Sequence, residues 1–484
     1  MFPAVSLLTA TLGSLVFLRT DGAWVVLVLA LPVSWFRKRS RLRVGAVGYL
    51  VKIDLVNEKD LKMTMEFFGA VPRRCVNLPP GSLKTLVNCA ARGIVEDGPD
   101  LQAFYKEFGE WIGVSRILGA SSGRTAFQLA LEALDLEKGA EIIFPAFTFP
   151  VMPMVAKMLG FEPVFCDVDP DTFNAGAEHI AARVTGETGA ILATHLFGQP
   201  CPIQDVAALA RERNIRLIED CAHACGVRVG GQQVGTFGDI GVFSFAEGKN
   251  MPCFGGGVIV IANDDIARRA ERILAQTSAP PRGETLKRAF KIWVEWLFTR
   301  PAIFGLTVYP ILRLKDRLGQ PLMDSVVGDD LLAAFARSAP RVSRLSNLQA
   351  AIGRRQIARI DAFNAGACRN AAVLTEHIGD VPGIQVSQSA EGNHIYVYYP
   401  LKIAAERRDD LRRFLLTHRI DSKNTDMDDC ATLKAFRHPD HPQDNRRRPT
   451  AAAILEICVY PIIPQNEMRR IARVIRAWAG LAPR

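Results

Sequence analysis

Apolar and polar positions follow a regular order from about residue 75 onward. Apolar residues at three- and four-residue spacing predict an amphipathic helix over 101–112. Short continuous apolar runs, typical of buried strands, then alternate with helical stretches. This order predicts an α/β fold with a mostly parallel central sheet and helices on both faces. The predicted strands are 141–144, 163–167, 190–195, 216–219, 241–244 and 258–262, and the helical stretches between them include 125–134, 149–159 and 201–213.

The first 62 residues do not continue this order. They contain two apolar stretches, 2–18 and 23–36, followed by the basic run 37–43. Each stretch is shorter than the roughly 20 residues that a helix needs to cross a bilayer. We therefore interpret the segment either as a membrane hairpin or interfacial anchor, or as residues ahead of a true translation start at Met63 or Met65.

A second apolar segment interrupts the alternation at 276–340. Its part 289–314 is rich in aromatic residues, but its charges and prolines argue against a straight membrane span. A buried insertion, a dimer contact and a membrane-facing surface all fit this composition. Beyond it, the pattern predicts a smaller C-terminal α+β domain, with helices at 345–363, 408–418 and 467–479 and a strand at 394–401. The predicted division of the chain is 1–62, 75–275, 276–340 and 341–484.

The hydrophobic content, net charge and cysteine distribution of the chain limit the partners and the compartment to be expected. Hydrophobic residues make up 49% of the chain and the formal net charge is +9, which suits anionic substrates or a membrane surface. The basic residues form no stripe interleaved with aromatic residues, so no nucleic-acid partner is expected. The ten cysteines are scattered, mostly through apolar runs, which indicates a reducing, cytoplasmic compartment. Cys221, His223 and Cys225 lack a second pair of ligands, so no metal site is expected.

Two local groups of residues suit a flat, anionic molecule. Ser122, Gly123 and Arg124 open the predicted helix 125–134. The backbone N–H groups and the dipole at such a start attract an anion such as a phosphate, although serine caps many helices without any ligand. Phe149 follows the next predicted strand, where an aromatic side chain either stacks on a flat ring or belongs to the core.

Two further groups carry reactive side chains. Asp220 ends one predicted strand with His223 three residues on, and Ser244 ends the next one, five residues before Lys249. A lysine at this edge of an α/β sheet can form a Schiff base with pyridoxal phosphate (PLP), while an acid beside the ring nitrogen keeps that nitrogen protonated. Ser244 then offers a hydroxyl to the phosphate. The four groups together predict a PLP site.

The order of these motifs resembles the DegT/DnrJ/StrS family of sugar aminotransferases, which have the fold-type I architecture of PLP-dependent transferases. The resemblance covers about residues 75–480, apart from 276–340. The matching runs are Ser121-Ser122-Gly123, Pro145-Ala146-Phe147-Thr148-Phe149, Asp167-Val168-Asp169-Pro170-Asp171-Thr172, His195-Leu196-Phe197-Gly198-Gln199-Pro200, Glu219-Asp220-Cys221-Ala222-His223-Ala224, Ser244-Phe245, Lys249-Asn250 and 344–353.

The resemblance implies a role for each candidate residue. Lys249 matches the lysine that holds PLP, and Asp220 matches the partner of its ring nitrogen. His223 falls where the family has a Gln or His near the cofactor, and Phe149 falls where an aromatic residue stacks on the ring. The residues implied to hold the phosphate are Ser122, Gly123, Arg124 and Ser244.

The sequence departs from the family at three places. The family's Gly-Glu-Gly-Gly turn after the lysine is Phe254-Gly255-Gly256-Gly257 here. Its asparagine two residues before the Arg344 position, which reaches the phosphate of the partner subunit, is Val342, with Arg341 beside it as a substitute. The stretch 422–427, in a region that helps to form the family's substrate pocket, is poorly matched.

The resemblance implies a ping-pong transamination in a homodimer. An amino donor, glutamate, gives its amino group through the cofactor to a keto sugar, which is linked to a nucleotide. Lys249 argues against the dehydratase branch of the family, which has a histidine at this position. Two alternatives stay open: another keto substrate (a keto acid, a cyclitol or a lipid-linked sugar), and a non-catalytic PLP-fold sensor or scaffold. The apolar segments 2–36 and 289–314 leave association with the inner face of the membrane as an option.

Overall fold

The computed structural model describes residues 15–20, 23–28, 69–320, 322, 328–337, 341–386, 393–436 and 451–482. The chain forms two compact units, residues 1–59 and residues 60–484. In the first unit, β1 (Leu15–Thr20) and β2 (Ala23–Val28) pair as an antiparallel hairpin. The rest of the predicted N-terminal extension lies outside the described residues. Among the described residues, no helix combines the length and apolar character needed to cross a bilayer.

Strands and helices alternate along most of the second unit. Its strands are β3 Ile117–Ala120, β4 Glu141–Pro145, β5 Phe147–Thr148, β6 Glu162–Cys166, β7 Thr188–Thr194, β8 Arg216–Asp220, β9 Arg228–Val229, β10 Gln232–Gln233, β11 Ile240–Ser244, β12 Gly257–Ile261, β13 Ile384–Val386, β14 Tyr399–Ile403, β15 Lys423–Asn424, β16 Asp428–Asp429 and β17 Ile454–Ile457. Its helices are α1 Ser82–Arg92, α2 Asp100–Ile112, α3 Gly123–Leu134, α4 Val151–Met158, α5 Ala177–Ala181, α6 Ile203–Glu212, α7 Asp264–Ala275, α8 Arg282–Phe298, α9 Pro301–Leu306, α10 Val308–Arg317, α11 Gly328–Arg337, α12 Asn347–Ile357, α13 Ile360–Ile378, α14 Ala405–Thr417 and α15 Gln465–Trp478.

A seven-stranded sheet with the order β3-β12-β11-β8-β7-β4-β6 forms the centre of this unit. The pairs from β11 to β6 are parallel, whereas β12 is antiparallel to both of its neighbours. The mostly parallel sheet expected from the sequence is therefore confirmed. The direction of β12 was not predicted. The described loop 245–256 holds no helix, so the chain turns back and β12 pairs directly with β11.

Alternate side chains of one strand enter two different cores. In β12, Val258 and Val260 belong to one core, whereas Ile259 and Ile261 belong to the other. Successive side chains of a strand point to opposite faces of the sheet. A sheet covered by helices on both faces therefore needs apolar residues at every position, which explains why the predicted strands are continuous apolar runs.

A smaller antiparallel sheet with the order β13-β14-β17-β15 carries the C-terminal part of the chain. Residues of α13, α14 and α15 share a separate core with this sheet, which confirms the expected C-terminal α+β portion. A short antiparallel pairing of β16 with β5 connects this part to the loop after β4. The connection matters for function because it brings residues near 427 to the carboxyl edge of the central sheet.

Two element boundaries expected from the sequence are wrong. The predicted single helix 345–363 is two helices, α12 and α13, because the backbone leaves helical geometry at Arg359. The predicted strand 394–401 begins only at the first residue of β14. The residues at the start of the predicted strand instead donate backbone N–H groups to the carbonyls of Phe197 and Gly198. The loop after β7 therefore holds them in place.

The apolar segment 289–314 is divided among α8, α9 and α10. Ala289 and Ile292 belong to the main core, so the segment is in part the buried insertion that was one of the three interpretations. Its outer face remains uncovered within the described part of the chain. The large apolar side chains exposed there and just beyond its end are Phe290, Leu306, Ile311, Leu314 and Leu318.

Candidate active site

A cavity of about 330 Å³ lies at the carboxyl ends of the parallel strands. Ligands of open α/β sheets bind at this edge, and small-molecule sites usually have volumes of about 300–1,000 Å³. The loops after β4, β7, β8 and β11 contribute to the wall. The structure brings all eight candidate residues together here, and those lining the cavity are Ser122, Gly123, Arg124, Phe149, Asp220, His223, Ser244 and Lys249.

One wall of the cavity is the start of α3. The hydroxyl of Ser122 accepts the backbone N–H of Thr125 at 3.2 Å, and the hydroxyl of Thr125 accepts the backbone N–H of Ser122 at 2.9 Å. This capping box fixes the first turn of the helix. At Gly123, an added Cβ would lie 2.6 Å from the Cβ of Ser244 and 2.7 Å from its Oγ. Glycine is therefore required for Ser244 and the helix start to form one polar surface.

Asp220 is the buried last residue of β8. One of its carboxylate oxygens accepts the backbone N–H of Ala222 at 3.0 Å. Burial raises the pKa of the Asp220 carboxyl above its usual value, and the hydrogen bond from Ala222 and the charge of Lys249 act in the opposite direction. A buried carboxylate of this kind is stabilised by a cationic partner, so the position suits a group that carries a proton.

His223 is fixed by the loop after β7. Its Nδ1 accepts the backbone N–H of Phe197 at 3.3 Å, and its ring stacks on that of Phe197 with centroids 6.2 Å apart. Burial, together with the charges of Lys249 and Lys423, lowers the pKa of His223 well below its usual value. The imidazole is therefore neutral. Because Nδ1 is the acceptor, Nε2 carries the proton and is a hydrogen-bond donor.

Lys249 lies in the turn after β11. Its backbone N–H donates to the carbonyl of Ala246 at 3.1 Å, and the hydroxyl of Tyr398 donates to the carbonyl of Gly248 at 2.8 Å. Burial lowers the pKa of Lys249 to about 8, against the opposing effect of the Asp220 carboxylate. A lysine with this pKa is partly neutral near physiological pH, and the neutral amine is the form that acts as nucleophile and base.

Among the cavity-lining residues that the sequence did not single out, five lie outside the segment 122–249 that carries the candidate residues. Asp426 and Met427 reach the cavity because β16 pairs with β5. Both belong to the stretch 422–427 that matches the family poorly. The basic pair 73–74 and the aromatic run 396–399 were available signals. Neither Arg74 nor Tyr398 lies in a helix or strand whose register fixes a direction toward the site. The five residues are Arg74, Arg288, Tyr398, Asp426 and Met427.

A buried ionic group holds the stretch 422–427 in place. The ammonium of Lys423 lies 3.4 Å from the carboxylate of Glu456 and also pairs with Asp426. It stands 4.8 Å from the centre of the Tyr398 ring. Burial raises the pKa of Glu456 to about 7, and the charge of Lys423 opposes this increase. The group therefore fixes both Tyr398 and Asp426 on the wall of the cavity.

His195, Glu219 and Cys221 are close enough to offer ligands to a metal ion. Their polar atoms already belong to a hydrogen-bond network. The carboxylate of Glu219 accepts three backbone N–H groups of the turn 235–238 at 2.7–2.8 Å and lies 3.2 Å from Nε2 of His195. Such bonds satisfy a buried carboxylate without a metal, so we assign this network to the support of the strand ends.

The lining of the cavity fits PLP group by group. The carboxylate of Asp220 suits the ring nitrogen, the amine of Lys249 suits the aldehyde, and the start of α3 with Ser244 suits the phosphate. The hydroxyls of Thr148 and Thr194 are buried on the same wall without a hydrogen-bond partner among the described residues. Buried polar atoms normally have partners, so these two hydroxyls indicate a polar ligand.

Known proteins match most of the chain. The model of the DegT/DnrJ/EryC1/StrS aminotransferase family matches residues 81–291 and 336–478. The chain is 29% identical to UDP-N-acetyl-3-dehydro-alpha-D-glucosamine 3-aminotransferase of Acidithiobacillus ferrooxidans, over 75% of this chain and 84% of that protein. It is 34% identical to GDP-perosamine synthase of Vibrio cholerae, over 40% of this chain and 53% of that protein. The solved structure of the aminotransferase TlmJ from Streptoalloteichus hindustanus is similar with a TM-score of 0.67 at 22% identity, over 85% of this chain and 99% of TlmJ.

These matches confirm the fold, the reaction class and the cofactor expected from the sequence: a fold-type I α/β structure, transamination, and PLP. The family match omits residues 292–335, which lie within the segment 276–340 that the sequence set apart. The chain belongs to the DegT/DnrJ/EryC1/StrS aminotransferase family.

Proposed function

We propose that the chain transfers an amino group from glutamate to the keto group of a nucleotide-linked sugar. The observation that carries the proposal is the position of Lys249 and Asp220 in one cavity with an anion-binding helix start. The names of the two relatives both include a nucleotide-linked sugar, which supports the class of substrate. The arginines on the cavity wall, Arg74, Arg124 and Arg288, suit a substrate that carries a diphosphate.

Each residue has a definite task in this reaction. PLP, when bound, supplies an electron sink for the charge that develops on the amino-bearing carbon. Lys249 would hold the cofactor covalently through its Nζ. Once free, Nζ would remove the proton from the amino-bearing carbon as a base and give it back as an acid. Asp220 keeps the ring nitrogen protonated, which maintains the electron sink.

The remaining candidate residues orient the cofactor. Phe149 offers an aromatic face to the ring, and His223 offers its Nε2–H as a donor. Ser122, Gly123 and Ser244 form the polar surface that receives the phosphate, and Arg124 supplies a positive charge beside it. None of these residues needs to react. Their effect is to hold the reacting carbon within reach of Lys249.

A coupled assay tests the proposed function. Purified enzyme is supplied with glutamate and a panel of keto sugars linked to UDP, GDP or dTDP, and the formation of 2-oxoglutarate is measured. We expect turnover with at least one sugar nucleotide and none with the same sugar lacking its nucleotide. No reaction across the panel, together with intact amino transfer from glutamate to the cofactor, would instead favour another keto substrate, such as a keto acid, a cyclitol or a lipid-linked sugar.

The pKa of Lys249 leads to a prediction about pH. Only the neutral amine attacks PLP, so the rate at which the apoenzyme captures the cofactor should rise with pH through about 8. An ordinary lysine would give a midpoint near about 10.4. Asp220→Asn removes an attraction that favours the ammonium form, so its midpoint should lie below that of the wild type. Stopped-flow absorbance of lysine-bound PLP measures these rates, and a wild-type midpoint near that of an ordinary lysine would contradict the prediction.

We also propose that the chain works as a homodimer. A second, open cavity of about 1,340 Å³ adjoins the site and shares Ser122, Arg124 and Arg288 with it. Arg341 and Val342, the positions at which the resemblance implies a contact with the partner's phosphate, line this second cavity. A partner subunit at this place would limit the access of water to the site.

Membrane association through 2–36 and 289–314 stays a prediction. The uncovered face of 289–314 supports it, because Ile311, Leu314 and Leu318 follow one another at three- and four-residue spacing next to the basic Lys315 and Arg317. A cytoplasmic location also stays a prediction, and it is supported by the ten cysteines, all of which are free thiols.

A further inference from the structure

Arg288 projects from α8, within the segment that the sequence predicts to be an insertion, and reaches the site. Its Nη1 donates to the carbonyl of Ser121 at 3.3 Å. A Cβ added to Gly255 would lie 2.3 Å from Cζ of Arg288, so the guanidinium occupies the space that a side chain at 255 would need. Gly255 has a φ of 92°, a conformation that also favours glycine. The turn after Lys249 is thus shaped to admit this arginine.

The place that Arg288 reaches is the phosphate-binding surface itself. Ser121 immediately precedes Ser122, the N-cap of α3, and Ser122 forms a β-bridge with Gly256, next to Gly255. Arg288 therefore contacts both segments that form this surface. It lines the same cavity as Gly123 and Ser244.

The charges around Arg288 favour an anion. Burial and the charge of Arg288 both lower the pKa of Arg124. Burial also lowers the pKa of Arg288. The charge of Glu247 opposes the decrease at both arginines. Glu247 lines the same cavity, but neither arginine has a carboxylate within ion-pair distance among the described residues. The positive charge of Arg288 acts on that of Arg124 at this helix start, and a bound phosphate would offset it.

We propose that Arg288 binds the phosphate group of the cofactor and that this chain thereby supplies, from its own α8, a charge that completes the phosphate site. The inference rests on the PLP role proposed for Lys249. A phosphate of the substrate's diphosphate has the same chemistry as that of the cofactor. Arg288 contacts the segments around Ser122 and Gly256, which favours the phosphate of the cofactor as the group that it binds.

The test compares PLP with pyridoxal, which lacks the phosphate. Apoenzyme is titrated with each compound, and binding is followed by the visible absorbance of the lysine-bound form. In Arg288→Gln, the Kd of PLP should rise about 10- to 100-fold, as expected for the loss of a charge-assisted hydrogen bond. The Kd of pyridoxal should change by less than about twofold, because pyridoxal has no group for Arg288 to bind. Arg288→Lys should recover part of the affinity for PLP because it retains the charge.

Lys287→Gln is the matched control, since Lys287 is the exposed neighbour of Arg288 on α8. It removes the same charge and should leave both affinities unchanged. Thermal unfolding of each apoenzyme shows whether a variant is folded. If Arg288→Gln is unstable, competition of inorganic phosphate with PLP in the wild type and in Arg288→Lys supplies the comparison, and phosphate should compete less well in the variant.

Three outcomes would overturn the proposal. An equal loss of PLP and pyridoxal binding would give Arg288 a structural role only. Unchanged binding of PLP with an increased KM for the sugar nucleotide would assign the arginine to the substrate's diphosphate. If the wild type forms no lysine-bound species with either compound, the role proposed for Lys249 is wrong, and this failure is distinct from the other two.

Discussion

Replacement of Lys249 by alanine is expected to abolish the absorbance band of lysine-bound PLP and to lower the transamination rate by about 100- to 10,000-fold. The variant loses both the amine that holds the cofactor and the base that moves the proton, and general acid–base catalysis alone contributes about that factor. Noncovalent binding of PLP should persist, because the contacts to its phosphate and ring do not involve Lys249. Absorbance spectra, equilibrium dialysis with PLP and the coupled glutamate assay measure the three quantities.

Lys249→Arg is the matched control for this prediction. Its guanidinium keeps a positive charge near Asp220 but stays protonated at any pH of interest, so it can neither hold PLP covalently nor act as a base. We expect it to be as inactive as Lys249→Ala while keeping a thermal stability closer to that of the wild type. A variant at position 249 that retained the absorbance band of lysine-bound PLP would show that another lysine holds the cofactor, and would contradict the assignment.

Asp220→Asn should form the lysine-bound cofactor and yet transfer the amino group slowly. The amide has no negative charge to keep the ring nitrogen protonated, so the electron sink is weakened at the step that removes the proton. Breaking a buried ion pair costs about 3–5 kcal/mol, which corresponds to a decrease of about 100- to 5,000-fold in rate. Rapid mixing of the loaded enzyme with glutamate, with and without deuterium at its α-carbon, measures that step.

Asp205→Asn is the control for Asp220→Asn. Asp205 is an exposed carboxylate in the first turn of α6 and does not line the cavity, so its replacement removes the same charge outside the site. It should leave the rate within about twofold of the wild type, since surface charges of this kind have small effects. A normal rate of proton removal in Asp220→Asn would disprove the role of Asp220 as the partner of the ring nitrogen.

The candidate residues could be chosen from the sequence because each belongs to a short motif at the end of a predicted strand or at the start of a predicted helix. An apolar run that stops at a polar residue marks the point at which a buried strand leaves the core, as in the run that ends at Asp220. Parallel strands have their carboxyl ends at one edge of the sheet. Residues that follow β8 and β11 must therefore meet, although about thirty positions separate Asp220 from Lys249.

The opposite wall of the cavity could not be predicted in this way. Arg74 precedes the first described helix, Tyr398 lies in the stretch that was wrongly expected to be a strand, and Met427 is brought in by the pairing of β16 with β5. Their sequence neighbourhoods contain no spacing that specifies which distant element they will contact. The same holds for Arg288, whose direction depends on how α8 packs against the main core through Ala289 and Ile292.

Because periodicity and strand-end motifs are local, the sequence by itself predicted six of the seven strands of the central sheet, many of the helices and the eight candidate residues that line the cavity, but not β3. Only the tertiary structure decided the direction of β12, the break between α12 and α13, and the residues that form the opposite wall of the cavity. The residues of that opposite wall depend on contacts between segments far apart in the chain, as in the pairing of β16 with β5 that brings Met427 to the cavity. Contacts between such distant segments produce no local periodicity in the sequence, so they can be identified only from the tertiary structure.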